Sequence, residues 1–199
     1  MNLQDKVILI TGAGKGNGRK LVEAFAKRGA IIAANDISPM NVEDVVKEIN
    51  NNGGKAKSYI EDVAKKVGAQ ALIKNVEDDF GRIDILINHA SVEPHVSLLK
   101  MDEWDWHRVL DVNMTGSFLM MQSVGRMMRE KGLGLIINLI AEPISNQEKE
   151  AGAFFASQAG LRELSNQMNL ELNPYHVRVF AVENSEHAVE KILALLEEV

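Results

Sequence analysis

The sequence contains no cysteine. That absence removes disulfides, thiolate nucleophiles and cysteine-ligated zinc or iron–sulfur centres together, and it fits a reducing compartment. Long apolar runs are also missing. The first of any note is VILI at residues 7–10, too short for a signal-peptide core or a membrane span. A cytoplasmic protein that does not enter a membrane is the expectation. Nor is there a block of one charge sign: 22 basic and 28 acidic residues give a formal charge of −6, with the basic residues scattered rather than gathered in a stripe. Nucleic acid and anionic membrane are therefore excluded as expected partners. The five histidines stand far apart and show no metal-ligand spacing, so no metal site is expected. Repeats, low-complexity segments and linkers are lacking as well. What remains is 199 residues, 46% of them hydrophobic, which suits one domain spanning residues 1–199 around a real core.

Short β-branched runs alternate with longer stretches of helical period, the pattern of βαβ units around a parallel sheet. The strand candidates are KVILIT (6–11), AIIAAN (30–35), KAKSYI (55–60), IDILIN (83–88), GLIINLI (134–140) and VRVFAV (177–182). Helices are expected near 18–28, 41–51, 65–80, 102–130, 152–172 and 186–198. Right-handed crossovers with helices on both faces make this an α/β, doubly wound parallel sheet. A ligand should then lie beyond the carboxyl ends of the strands.

TGAGKGNG (11–18) follows the first strand directly and opens the first helix. Gly12, Gly16 and Gly18 permit a tight turn and close backbone approach, so the helix amino terminus can face a pyrophosphate. Asp36 closes the second strand, where an acid accepts hydrogen bonds from an adenosine ribose; the plainer alternative is a turn residue in NDISP. Facing the ribose, its charge would repel a 2′-phosphate about 4 Å away by up to roughly 4 kcal/mol at an effective dielectric near 20. NAD is favoured over NADP on that ground, although Lys15 in the glycine turn argues the other way.

TGAGKGNG, then NHAS (88–91), DVNMTG (111–116) and GLIIN (134–138), in this order and spacing, resemble the short-chain dehydrogenase/reductase family from the first residues to about residue 182. The resemblance implies a Rossmann-type sheet of about six strands in the order 3-2-1-4-5-6 with a nicotinamide dinucleotide. It also implies an Asn, Ser, Tyr and Lys tetrad that reduces carbonyls or oxidises alcohols. Carried over, Gly12, Lys15, Gly16, Asn17 and Gly18 form the phosphate turn, Asp36 with Ile37 meets the ribose, and Asp62 with Val63 frames adenine. Asn88 and Ala90 match the family's Asn-Asn-Ala-Gly motif. Asn17 departs from the usual aliphatic residue, His89 from the second asparagine and Ser91 from the glycine. His89 is read as a hydrogen-bonding replacement, with a new acid or base as the alternative.

At the chemistry end the same resemblance places Asn113 where it would hold a water of the proton relay. The serine expected after the fifth strand is Ala141. Thirteen residues further on, where a Tyr-x-x-Ser-Lys motif should open the next helix, the chain reads FFASQ, with Phe154 for the tyrosine and Gln158 for the lysine. Hydride transfer to a carbonyl leaves an oxyanion that needs a proton, and a tyrosine supplies it because a nearby lysine lowers its pKa. Phenylalanine has none to give. Glu142, Ser145 and Glu148 in the following loop are the substitutes within reach in sequence, read first as solvated loop residues; Tyr175 is too remote.

After VRVFAV the chain passes from AVENS to EHAVEKILALLEEV, an apolar helical face at 188, 189, 192, 193, 195 and 196. Beside the family this reads as a late helix with the substrate-covering loop excised and the final family strand missing. Met120, Met121, Met127 and Met128 suit either core or a subunit face. The resemblance implies a homodimer through helices 102–130 and 152–172, with a hetero-oligomeric partner also conceivable. Trp104 and Trp106 are read as packing residues. Three functions stay open: an NAD(H)-binding protein without ordinary dehydrogenation, acting as a cofactor-responsive or partner subunit; an active oxidoreductase with a non-standard proton donor; and an assembly module that no longer binds cofactor. The first is preferred.

Overall fold

The computed structural model describes residues 1–142 and 150–198. The chain runs β1 (Val7–Thr11), α1 (Gly16–Ala26), β2 (Ile31–Asp36), α2 (Pro39–Asn51), β3 (Lys55–Ile60), α3 (Lys66–Phe80) and β4 (Ile85–Asn88). It continues with α4 (Glu103–Leu110), α5 (Ser117–Lys131), β5 (Gly134–Ile140), α6 (Gly152–Leu172), β6 (Val177–Glu183) and α7 (Ala188–Glu198). All strand pairs are parallel, and the sheet order is β3-β2-β1-β4-β5-β6. This is the α/β doubly wound arrangement of strands 3-2-1-4-5-6 expected from the sequence.

The central strands β1, β4 and β5 are buried along their whole length. They are nearly continuous in Ile, Leu and Val because helices cover both faces. One face packs on α1, α2 and α7 through Leu21, Val22, Phe25, Val45 and Ile192. The other packs on α3, α5 and α6 through Leu72, Val76, Met120, Val124 and Leu161. Each such fully buried side chain contributes about 1.5–3 kcal/mol of transfer free energy. Ala188, Ile192 and Leu196 of α7 belong to the first core, so the apolar face read from the tail is a packing face.

The helix expected over 102–130 is present as one helical run from Glu103 to Lys131, but it widens in the middle. A wide π-type turn, Asp111–Gly116, separates α4 from α5. Ser117 Oγ donates to the Asn113 carbonyl at 3.0 Å inside that turn. Gly116 is needed there, because an added Cβ would stand 3.1 Å from the Val63 carbonyl oxygen. Met120, Met121 and Met128 are fully buried in the core within the chain, and Met127 is partly buried against it. The tryptophans depart from expectation: Trp104 is 68% exposed and is not a packing residue.

Candidate nucleotide and active site

Strands β1, β2 and β4 turn polar at their carboxyl ends with Thr11, Asn35, Asp36 and Asn88, and β5 carries Asn138 two residues before its end; all five are buried. Buried polar groups need partners, and these bind the loops to one another. Thr11 Oγ1 accepts the amides of His89 at 3.1 Å and Ala90 at 3.2 Å, tying β1 to the β4 loop. Asn35 Nδ2 donates to the carbonyls of Tyr59 and Glu61, both at 3.1 Å. Asn88 Nδ2 donates to Asn138 Oδ1 at 2.8 Å, and Asn138 Nδ2 to Ser165 Oγ at 2.9 Å. Thr11, Asn35 and Asn138 were not singled out as functional from the sequence. The readable signal was a polar residue ending or interrupting an apolar run.

The glycine turn is sterically fixed. Gly12 and Gly16 have positive φ values of 65° and 56°. A Cβ on Gly12 would lie 2.9 Å from the Ala90 backbone, and one on Gly18 only 2.2 Å from the Gly12 carbonyl oxygen. Helix α1 opens here with no side-chain cap, so its first amides are left for an anion. Lys15 is exposed beside them. Asn17 has an unexpected role: its Nδ2 donates to Asn184 Oδ1 and to the Ser185 carbonyl, both at 2.8 Å, clasping the turn to the segment between β6 and α7.

Asp36 Oδ2 accepts the Gly14 amide at 3.0 Å and its Oδ1 the Ser38 amide at 2.9 Å. Asp36 thus organises both turns, and these two bonds leave two of the carboxylate's roughly four lone-pair sites free. Asp62 similarly accepts the Ala64 amide at 3.1 Å and stands 3.6 Å from Lys65 Nζ. Gly12, Lys15, Asp36, Ile37, Asp62, Val63 and Ala90 border a single cavity of about 660 Å³ at the carboxyl edge of the sheet. That lies within the roughly 300–1,000 Å³ usual for small-molecule sites. Gly16, Asn17, Gly18 and Asn88 are not among its walls. Its lining also includes α4, missed in the sequence, through Trp104, His107 and Arg108.

His89 borders the cavity with Nδ1 3.0 Å from the Gly12 carbonyl. A carbonyl only accepts, so Nδ1 carries the proton in this contact. Burial pushes the imidazole pKa below its ordinary value, with the Gly12 bond opposing in part. A neutral ring donating to the glycine turn matches a hydrogen-bonding replacement.

The chemistry end is bonded to itself. Asn113 Oδ1 accepts the Val92 amide at 2.8 Å, while Nδ2 donates to the Val92 carbonyl and to Ser157 Oγ, both at 3.0 Å. Its backbone carbonyl is taken by Ser117, so no polar group of this residue is left without a partner. Ser157 Oγ donates to the Phe154 carbonyl at 2.6 Å. Gln158, buried, accepts the Ala141 amide on Oε1 at 2.9 Å and so ties α6 to the end of β5. The half-buried rings of Phe154 and Phe155 meet edge to face at 5.4 Å. Glu142 is exposed, and Ser145 and Glu148 lie outside the described residues. Tyr175 sits beyond α6, under Arg129 at 5.6 Å. Among the described residues no cluster of three or more His, Asp or Glu is spaced to hold a metal, and no helix is long and apolar enough to cross a membrane.

A glycine turn opening a helix beyond the first strand of a 3-2-1-4-5-6 sheet, with an acid ending the second, defines a dinucleotide-binding fold of the Rossmann type. The short chain dehydrogenase family matches residues 6–188, and the chain belongs to that family. An uncharacterized oxidoreductase of Thermotoga maritima is 36% identical over 182 residues, 92% of this chain and 72% of that protein. Among solved structures, a metagenomic short-chain oxidoreductase in complex with NADP superposes with a TM-score of 0.91 at 27% identity, covering 98% of this chain and 91% of that one. NAD⁺-bound xylitol dehydrogenase gives a TM-score of 0.86 at 27% identity, covering 100% and 78%. Both dinucleotides thus occur among proteins of this fold and family.

Proposed function

We propose that this chain binds a nicotinamide adenine dinucleotide, NAD in preference to NADP, and does not carry out carbonyl–alcohol oxidoreduction by the mechanism its family resemblance implies. The observation that carries the reading is the Gln158–Ala141 hydrogen bond. It fills the space between α6 and β5 with an uncharged structural contact. An oxyanion donor and an acid tuned by a cation would be required there.

The residues fit the dinucleotide. Gly12, Gly16 and Gly18 would take the pyrophosphate, in a turn where even one added methyl group on Gly18 has no room. Asp36 retains lone pairs for ribose hydroxyls, and Asp62 with Val63 would border adenine; Asn88 and Ala90 support the turn from β4. A 2′-phosphate beside Asp36 would meet up to about 4 kcal/mol of repulsion at an effective dielectric near 20. When bound, the dinucleotide can give or accept a hydride. The chain's own contribution would then be a proton at the substrate oxygen, and Phe154 and Ala141 have no O–H to donate. Losing a general acid costs about 100- to 10,000-fold and losing one oxyanion donor about 100- to 1,000-fold, acting as a unit rather than as a product.

The role that follows is a cytoplasmic, cofactor-responsive or partner subunit. Pairing as a homodimer would use helices 102–130 and 152–172. An apolar groove of about 470 Å³ between Met114, Phe118, Gly160 and Leu164 on those segments supports that surface. Titration with NADH, followed by nucleotide fluorescence, tests the reading: saturable binding at least tenfold tighter than for NADPH is expected. No saturable binding up to millimolar NADH would refute it.

A further inference from the structure

Trp104 is one of two tryptophans in the chain and is 68% exposed. It stands in the first turn of α4, a helix capped by Asp102, whose carboxylate accepts the Asp105 amide at 2.7 Å. One turn later Arg108 places its guanidinium over the indole at 5.4 Å from the ring centroid. A cation over one face favours this ring orientation, and Trp104 and Arg108 both border the 660 Å³ cavity that Asp36, Asp62 and Val63 also line. Val63 is buried and apolar. A large flat apolar ring left in water on a helix, bordering a cavity that the apolar Val63 also lines, suits a planar heterocycle.

We infer that α4 reads the adenine end of the ligand, with Trp104 as a stacking wall supported by Arg108, and that an adenosine diphosphate moiety is sufficient for recognition. This rests on the dinucleotide reading above. It goes beyond that reading by naming a specificity-determining residue and by assigning most of the affinity to one end of the molecule. The opposite end supports the same division of labour. Asn113 has spent its side chain on Val92 and Ser157, and Gln158 has committed its oxygen to Ala141, so neither offers the nicotinamide half the full set of polar contacts of a free side chain.

The test uses the full chain carrying Trp106→Phe, so that tryptophan emission reports Trp104 alone, titrated with ADP and in parallel with NAD by calorimetry. Saturable quenching by ADP is expected, with ADP binding within about tenfold of NAD. Aromatic stacking on a base is worth about 1–3 kcal/mol by alanine substitution, so Trp104→Ala should weaken ADP by roughly 5- to 150-fold, whereas Trp104→Phe keeps a π face and most of the affinity. A melting curve for each variant confirms that the fold is intact. Unchanged ADP affinity in Trp104→Ala overturns the inference, and so does ADP more than a hundredfold weaker than NAD; in both cases NAD binding leaves the dinucleotide reading standing. Emission that responds to protein concentration and not to ADP assigns the ring to a second copy of the chain, and also overturns it. Binding of neither nucleotide refutes inference and reading together.

Discussion

Replacing Gln158 by lysine restores the residue type that the family resemblance puts at this position, and the structure predicts that the fold pays for it. Gln158 is 6% exposed, and its Oε1 is the acceptor for the Ala141 amide at 2.9 Å. Lysine has no acceptor. An orphaned buried amide costs about 1–3 kcal/mol, and because Ala141 is only half-buried the lower half of that range applies. The ammonium adds a desolvation cost, which its flexible stem reduces by reaching toward water. About 2–3 kcal/mol of destabilisation is expected from these two effects. With a urea m-value of about 1–3 kcal/mol/M this moves the unfolding midpoint down by roughly 1 M or more. Gln158→Met, which loses the acceptor without adding charge, should show only the first part. A Gln158→Lys protein within 0.5 kcal/mol of the parent would refute the structural role given to Gln158. The same variant combined with Ala141→Ser and Phe154→Tyr should still turn over poorly, because residues 184–187 alone join β6 to α7 where the family resemblance implies a substrate-covering loop. Robust turnover by that triple variant would show that the side-chain losses, not the missing loop, limit the chemistry.

Gly18→Ala should abolish NADH binding and destabilise the chain by about 1–3 kcal/mol, since the new methyl would sit 2.2 Å from the Gly12 carbonyl oxygen and 2.7 Å from His89 Nδ1; NADH affinity within twofold of the parent would contradict the turn as drawn. His89 provides a pH dependence: its folded pKa lies below the ordinary 6.5, so below about that pH the unfolded chain takes up a proton that the native chain resists. Stability should therefore fall as pH drops from 7 toward 5. His89→Asn should flatten that part of the profile, and superimposable profiles for the two proteins would show that the imidazole is not held neutral.

The fold was legible because its signals are local. Uniformly apolar strands such as ILIN and GLIINLI announce burial on both faces, and the span read for α6 coincides with Gly152–Leu172. The π-type turn between α4 and α5 was not legible, since one widened turn inside a helical run leaves no trace in hydrophobic periodicity; Asn113, which lies in it, bonds to Val92 and Ser157 across the fold. Asn17 shows the same limit. In sequence it is only a polar residue replacing an aliphatic one, and the partners that explain it, Asn184 and Ser185, lie 167 and 168 residues away. Trp104 departs for a different reason: tryptophan is usually buried, and sequence gives no sign of the cavity that this exposed ring borders. The register at FFASQ was set by the family resemblance, yet what Gln158 does there, bonding to Ala141, required the structure.

The central claim is that a nicotinamide dinucleotide binds where the family's proton transfer cannot follow. Absorbance at the reduced-nicotinamide band, recorded with NADH-saturated protein across a panel of aldehydes, ketones and keto acids, tests it most directly. The account predicts no loss of absorbance beyond the protein-free control for any carbonyl. Reproducible NADH consumption that disappears in Asn113→Ala would contradict it, by showing that this chain completes the chemistry with a proton donor other than the one replaced by Phe154.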